Sequence, residues 1–170
     1  ATETVVDYID IVVAPRADPP TVKGNAIGVE DTLIPVPMSV TLADKDGSET
    51  YIVRLTAVVP SGTRIYGAGG AEILPDVGGV YTLSPADVSA LAVRPPLNYS
   101  TPLSGDIVLT AQTIVTDTSG GGSDVTSLST DIHVVVRGVA DLPGTRTVTV
   151  TADEDQVIEL GSAIVASAGG

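Results

Sequence analysis

The sequence has no cysteine, no tryptophan and no phenylalanine, and a single histidine, His133. Without thiols there is no disulfide scaffold, no thiol nucleophile and no Cys-ligated zinc. One histidine makes no imidazole cluster for zinc or iron. Positive charge is also scarce: 8 Lys+Arg stand against 21 Asp+Glu in 170 residues, a net charge of −13. That balance argues against nucleic acid and against an anionic membrane surface, because neutralising phosphates takes basic side chains. No apolar run reaches the ~18 residues of a membrane-spanning helix, so no membrane insertion by this segment is expected. No export signal is visible either. The opening ATETVVDYIDIVVAP reads as a strand, with neither a basic n-region nor an apolar h-region, and the expectation is a piece of a longer protein.

What is present is apolar residues in plenty (43%, mostly Val, Ala, Leu and Ile), together with 18 Gly and 12 Pro. That is enough apolar content to bury a core. The chain also repeats itself. A slide of 123 residues lays IDIVVAPRADPP on IHVVVRGVADLP, matching Ile9 to Ile132, Val12 and Val13 to Val135 and Val136, Asp18 to Asp141, and Pro20 to Pro143. Glu30–Asp31 comes twelve residues after Asp18 and Glu154–Asp155 thirteen after Asp141, and Ile34 and Ile158 then follow each glutamate at the same spacing. A period of about 120 residues is domain-sized, well above the 20–50 of a solenoid. The expected organisation is the end of one unit (1–19), one complete unit (20–142) and the start of a third (143–170).

The complete unit reads as all-β. Ile34, Val36, Met38, Val40 and Leu42 alternate strictly with Pro35, Pro37, Ser39 and Thr41, the period of a half-buried strand. Two prolines without N–H donors predict a sheet edge for it. Thr50–Val58, Val80–Leu83, Ile107–Thr116 and Val125–Val136 are further strands, and Thr147–Thr151 opens the third unit. Asp117–Asp124 is read as a flexible polar hairpin tip. Ser84-Pro85 predicts a short helix with Ser84 as N-cap and Pro85 at its first position. About seven strands with frequent turns fit an immunoglobulin-like Greek-key β-sandwich.

The acids fall at particular places. Asp18 precedes Pro19–Pro20, Glu30–Asp31 precedes the edge strand, and Asp44-Lys45-Asp46-Gly47-Ser48-Glu49 follows it. A DxDG turn brings carboxylates together, and Glu49 can reach back to them. Hard oxygen donors gathered in this way suit Ca²⁺, which takes 6–8 oxygens. A divalent cation also removes the repulsion between neighbouring carboxylates. The plainer reading of Asp44–Gly47 is a solvated turn. An extended strand from Ile34 to Leu42 would span about 30 Å. Two arrangements therefore stand open: Glu30–Asp31 and the Ala17-Asp18-Pro19 linker at one junction with the DxDGSE turn at the far pole, or a kink at Pro35–Pro37 that lets them share a site.

The words ADPP, VEDT, DKDGSE, YTLSP, VADLP and DEDQ occur in this order across nearly the whole chain, which resembles the cadherin-like extender repeats of large bacterial RTX-type adhesins. The resemblance implies calcium-binding immunoglobulin-like sandwiches in tandem. It places them extracellularly on a bacterial cell surface, in a parent protein attached to the outer membrane. Their role there is adhesion and biofilm formation, with calcium at the junctions stiffening the rod. On the resemblance, Asp18, Glu30, Asp31, Asp44, Asp46 and Glu49 are ligand candidates of the complete unit, and Asp141, Glu154 and Asp155 are their counterparts at the next junction. The implied partners are neighbouring repeats of the same chain. The chain stops before a second DxDGSE, which departs from the pattern in the third unit.

Other features point less far. Gly67–Glu72 occurs once and lacks the stacked copies of a glycine-rich β-roll, so it reads as a hairpin loop. His133 sits in a strand with no nucleophile motif beside it, and no enzymatic activity is expected. A calcium-dependent glycan module, taking exopolysaccharide on its tyrosines and calcium set, is the alternative function. The low aromatic content (3%) weighs against it. Tyr8, Tyr51, Tyr66, Tyr81 and Tyr99 read first as amphipathic core-edge residues.

Overall fold

The computed structural model describes residues 7–140, 149 and 151–157. Eleven strands, two short α-helices and a 3-10 turn at Ala68–Gly70 occur among them: β1 Thr21–Lys23, β2 Ala26–Val29, β3 Ile34–Pro35, β4 Ser39–Thr41, β5 Glu49–Val59, β6 Arg64–Tyr66, β7 Glu72–Ile73, β8 Tyr81–Leu83, α1 Pro85–Ser89, β9 Ala92–Arg94, α2 Thr101–Ser104, β10 Ile107–Ser119 and β11 Gly122–Arg137. They form a five-stranded sheet ordered β2-β11-β10-β5-β8, a four-stranded sheet ordered β3-β9-β6-β7, and a two-stranded ribbon of β1 and β4. The protein is all-β in class.

One apolar cluster is shared by these sheets. Val53 and Leu55 of β5, Leu109 and Ala111 of β10, and Ile132, Val134 and Val136 of β11 meet Ile65 of β6, Val93 of β9 and Ile34 of β3. The alternation along β10 is complete: Ile107, Leu109, Ala111, Thr113, Val115 and Asp117 are buried, and the residues between them are half-buried. That is the period-two pattern of a strand with one face on a core. Tyr99 is buried in the cluster and donates its hydroxyl to the Gly105 carbonyl at 2.8 Å, so its polar tip is satisfied. Tyr51 and Tyr81 pack at the cluster's margin. Tyr8 is exposed.

Two local expectations are refined. The Ile34–Leu42 alternation is not one strand. It divides at Val36–Met38 into β3, which pairs with β9 at the edge of the four-stranded sheet, and β4, which pairs with β1. Both pieces lie at sheet edges; Pro35 sits at one of them and Pro37 in the break, so neither costs a ladder hydrogen bond. Asp117–Asp124 is not a loose tip. Its pairing continues to Ser119 opposite Gly122, leaving the two-residue turn Gly120-Gly121. Both glycines have positive φ (55° and 82°), as a tight hairpin turn matched to strand twist requires. The Ser84-Pro85 helix start is as read, and Asp87 closes a reciprocal box with Ser84. Of the Gly67–Glu72 segment, 67–71 connect β6 to β7, which pair antiparallel, and Glu72 opens β7 opposite Tyr66. Thr147–Thr151, and most of 143–170 with it, lies outside the described residues.

Candidate metal centre

The segment Val13–Asp18 lies over the β10–β11 turn, its Val13 carbonyl and Pro15 ring close against Gly120 and Gly122. From there three consecutive backbone N–H groups donate to three carboxylates on three strands. Arg16 donates to Asp117 Oδ2 at 2.8 Å, Ala17 to Asp124 Oδ2 at 3.0 Å and Asp18 to Glu49 Oε1 at 3.1 Å. The other oxygen of Glu49 accepts from the Asp44 N–H at 3.2 Å. One pole of the fold is thus a linker laced to the ends of β5, β10 and β11 by acidic side chains.

The strand register puts these acids there. Glu49 faces Asp117 across β5–β10, and Asp117 faces Asp124 across β10–β11. Glu49 shares a strand face with Val53 and Leu55, and Asp117 continues the buried series of β10. The core face therefore ends in carboxylates: Glu49 and Asp117 are only 7% and 5% exposed. Asp117 Oδ1 is buried with no hydrogen-bond partner among the described residues. A buried anionic oxygen without a donor is costly, and a bound cation is one way to meet that cost when further carboxylates lie nearby.

Asp44 and Asp46 complete the pole. The Asp44 carboxyl is held above the ordinary carboxylate range by partial loss of hydration first, then by Glu49, Asp46, Asp18 and Asp117. Its surroundings are therefore crowded with negative charge. Asp46 Oδ1 accepts from both the N–H and the hydroxyl of Ser48, at 2.9 and 2.8 Å, which closes the turn over Gly47. The Ser48 N–H and then its hydroxyl pull the Asp46 carboxyl below the ordinary range. Asp18 Oδ1 is 4.0 Å from Arg16 Nε in an exposed pair of little energetic weight. All donors here are hard oxygens, the set that suits Ca²⁺ or Mg²⁺ rather than a soft metal. Among the described residues no three acids already converge on one point at metal-binding distances. Ligation would need side-chain rotation within the cluster.

Glu30 and Asp31 lie elsewhere. The Glu30 N–H donates to the Arg137 carbonyl at 3.0 Å, its Oε1 accepts from the Val139 N–H, and Asp31 Oδ1 accepts from the Asn98 N–H at 2.9 Å. Arg137 is thirteen residues along β11 from Asp124, roughly 40 Å at strand rise. Neither arrangement expected from the sequence describes this. Asp18 groups with the DxDGSE turn at one pole, and Glu30–Asp31 groups with the departing chain at the other. The topology decides it, because β3 and β4 join different partners and β2 runs parallel to β11. Glu154 and Asp155 lie in an exposed turn where the Gln156 N–H donates to the Asp153 carbonyl. Asp141 lies outside the described residues.

Sequence reasoning passed over Asp117 and Asp124. The signal was the alternation of β10: carried two residues beyond Val115, it puts a carboxylate on the core side. The His133 side chain is half-exposed, with Nδ1 3.5 Å from Asp106 Oδ2, and the His133 backbone N–H donates to Asn25 Oδ1. Among the described residues no helix is long and apolar enough to cross a membrane. Compared with protein-family models, curated proteins and solved structures, the chain matches none.

Proposed function

We propose that this chain is a calcium-binding spacer repeat of an extracellular bacterial adhesin, an immunoglobulin- or cadherin-like Greek-key sandwich whose linkers are stiffened by the ion. The observation that carries the reading is the lacing of Arg16, Ala17 and Asp18 amides to Asp117, Asp124 and Glu49, with Asp117 Oδ1 left over. Two sheets around one core, with β2 parallel to β11 at one edge, support the sandwich. The sequence resemblance supports the cellular setting, adhesion and biofilm formation, and neighbouring repeats as partners.

The physical logic is short. Without a cation, Asp18, Asp44, Asp46, Glu49 and Asp117 repel one another around a linker held only by hydrogen bonds. A divalent ion converts that repulsion into attraction and fixes the linker to the strand ends. Glu30 and Asp31 give the opposite pole its own carboxylates beside the departing chain, so each unit has an acidic group where it meets the next. Sites of this extracellular kind bind calcium at about 10⁻⁴–10⁻³ M. The test combines thermal melts and titration calorimetry in calcium and in chelator with limited proteolysis across residues 10–20. Calcium is expected to raise the midpoint and to protect the linker. An unchanged midpoint with no heat of binding overturns the reading.

A further inference from the structure

Arg64 of β6 and Arg94 of β9 are register partners, directly opposite each other on adjacent antiparallel strands. Directly opposed like charges destabilise a sheet. The pairing stands out in a chain with only 8 basic residues. Arg64 has a distant acidic partner, Glu72, at 3.8 Å, and Arg94 has none among the described residues. Both residues line a 360 Å³ hollow together with Pro95, Pro96, the exposed Leu97, Gly62 and Asp31. Asp31 is its one acid, and the Oδ1 of that acid is engaged by the Asn98 N–H.

The hollow does not stand alone. A second, of 280 Å³, shares Arg64 and Gly62 with it, and a third, of 200 Å³, shares Gly62, Thr63, Pro75 and Tyr81 with the second. Through these shared residues the three hollows adjoin one another as a groove from the arginine pair past the 60–63 turn to Tyr81. Its lining is mixed: Leu74, Leu97, Tyr81 and the prolines Pro60, Pro75, Pro95 and Pro96 stand among polar groups, and Glu72, the partner of Arg64, lines the second hollow. Thr63 lines both further hollows, is 5% exposed, and has a hydroxyl with no partner among the described residues.

We propose that this groove binds a segment of acidic polysaccharide, with a carboxylate or sulfate group held between Arg64 and Arg94. The guanidinium fork matches a planar or tetrahedral oxyanion and supplies charge-assisted hydrogen bonds. The anion also relieves the Arg–Arg repulsion, which gives the pair a reason to exist. The side chains of Leu74, Leu97 and Tyr81 suit the C–H faces of sugar rings. A groove of linked hollows fits a chain of repeating units better than a lone small ion. The net negative charge of the protein does not forbid this, since repulsion beyond about 8 Å is screened at physiological salt. The site is metal-independent, which separates it from the calcium centre.

The experiment titrates the full chain, in chelator, with oligogalacturonate, with a sulfated chondroitin oligosaccharide, with neutral dextran and with poly-glutamate. The readouts are calorimetry and amide shifts. Binding of the carboxylated or the sulfated saccharide is expected, with shifts at Thr63, Arg64, Arg94 and Leu97, and the stronger arm identifies the anion. Arg94→Gln is expected to weaken binding about tenfold or more. Its thermal midpoint should hold or rise, because a repulsion is lost; a structural arginine would lower it. Lys23→Gln, remote on β1, should change nothing. No binding to either acidic saccharide, equal binding of dextran or poly-glutamate, or full binding by Arg94→Gln overturns the proposal. Because chelator is present throughout, failure of the calcium reading leaves the result interpretable, and the reverse holds too.

Discussion

Asp117 on β10 lies directly opposite Glu49 on β5, and both carboxylates sit on the core side of the sheet at its last rungs. Two buried acids facing each other are a liability for a metal-free fold and an asset for a metal-bound one. Asp117→Asn keeps an oxygen acceptor for the Arg16 N–H and removes one charge. The variant's midpoint in chelator should therefore equal or exceed that of the wild type. Its calcium response should largely vanish. At a calcium concentration a hundred times Kd the wild type should gain about 2.7 kcal/mol. Scanning calorimetry with calcium and with chelator checks both halves. An undiminished calcium response in the variant would remove Asp117 from the ligand set.

The capping box of α1 predicts an acid response away from the poles. The Ser84 hydroxyl first, then the Ser84 and Ala68 N–H groups, hold the Asp87 carboxyl below the ordinary carboxylate range. A depressed value means that the unfolded chain takes up the proton more readily. The stabilisation is therefore present above the ordinary carboxylate range, about pH 3.9, and is lost as pH falls through the folded value. Amide shifts of Ser84 and Ala68 followed from neutral to acid pH should move together, and Asp87→Ala should abolish that coupled change. Ser84→Ala should cost about 1 kcal/mol, the usual loss of a helix cap.

These two cases show what is legible in the residues themselves. The Ser84 cap is local, four consecutive residues settle it, and the sequence states it plainly. The long strands β5, β10 and β11 are equally plain, because their alternation runs for many residues. The division of Ile34–Leu42 is not legible, since both halves keep the same period and only their partners, β9 and β1, differ. For the same reason the position of Glu30–Asp31 relative to Asp18 depends on which pole each strand end reaches. Asp117 was hidden by its neighbours: acid, hydroxyl and glycine residues read as a turn, while the strand register carries them into the sheet.

The core should show the usual contrast between buried and exposed leucines. Leu55 is fully buried within the shared cluster, whereas Leu103 is 86% exposed on α2. Leu55→Ala should cost about 2–5 kcal/mol, the transfer free energy plus the cavity left behind. Leu103→Ala should stay within about 0.5 kcal/mol. Urea unfolding of both variants, with unchanged slopes, measures the difference. Similar losses for the two would mean that the Leu103 side chain is covered in solution.

Gly28 makes the most demanding structural test. It lies on β2 opposite Val136 of β11, and a Cβ there would press on Cγ1, Cγ2 and Cδ1 of Ile34, two of them at 2.6 Å. Ile34 cannot easily yield, because it is itself 1% exposed in the core and paired with Val93. The close approach is what lets the parallel strand β2 close over β3. Gly28→Ala should cost about 1–3 kcal/mol by overpacking, although alanine is otherwise the better strand residue. Ile34→Ala alone should also destabilise, by leaving a cavity. Combined, the new methyl occupies part of the space that the isoleucine vacates, so the double variant should be more stable than the sum of the two losses. A coupling of about 0.5–3 kcal/mol in a double-mutant cycle is expected. Simple additivity would mean that β2 and β3 are not packed at this distance, and the parallel edge of the five-stranded sheet would have to be redrawn.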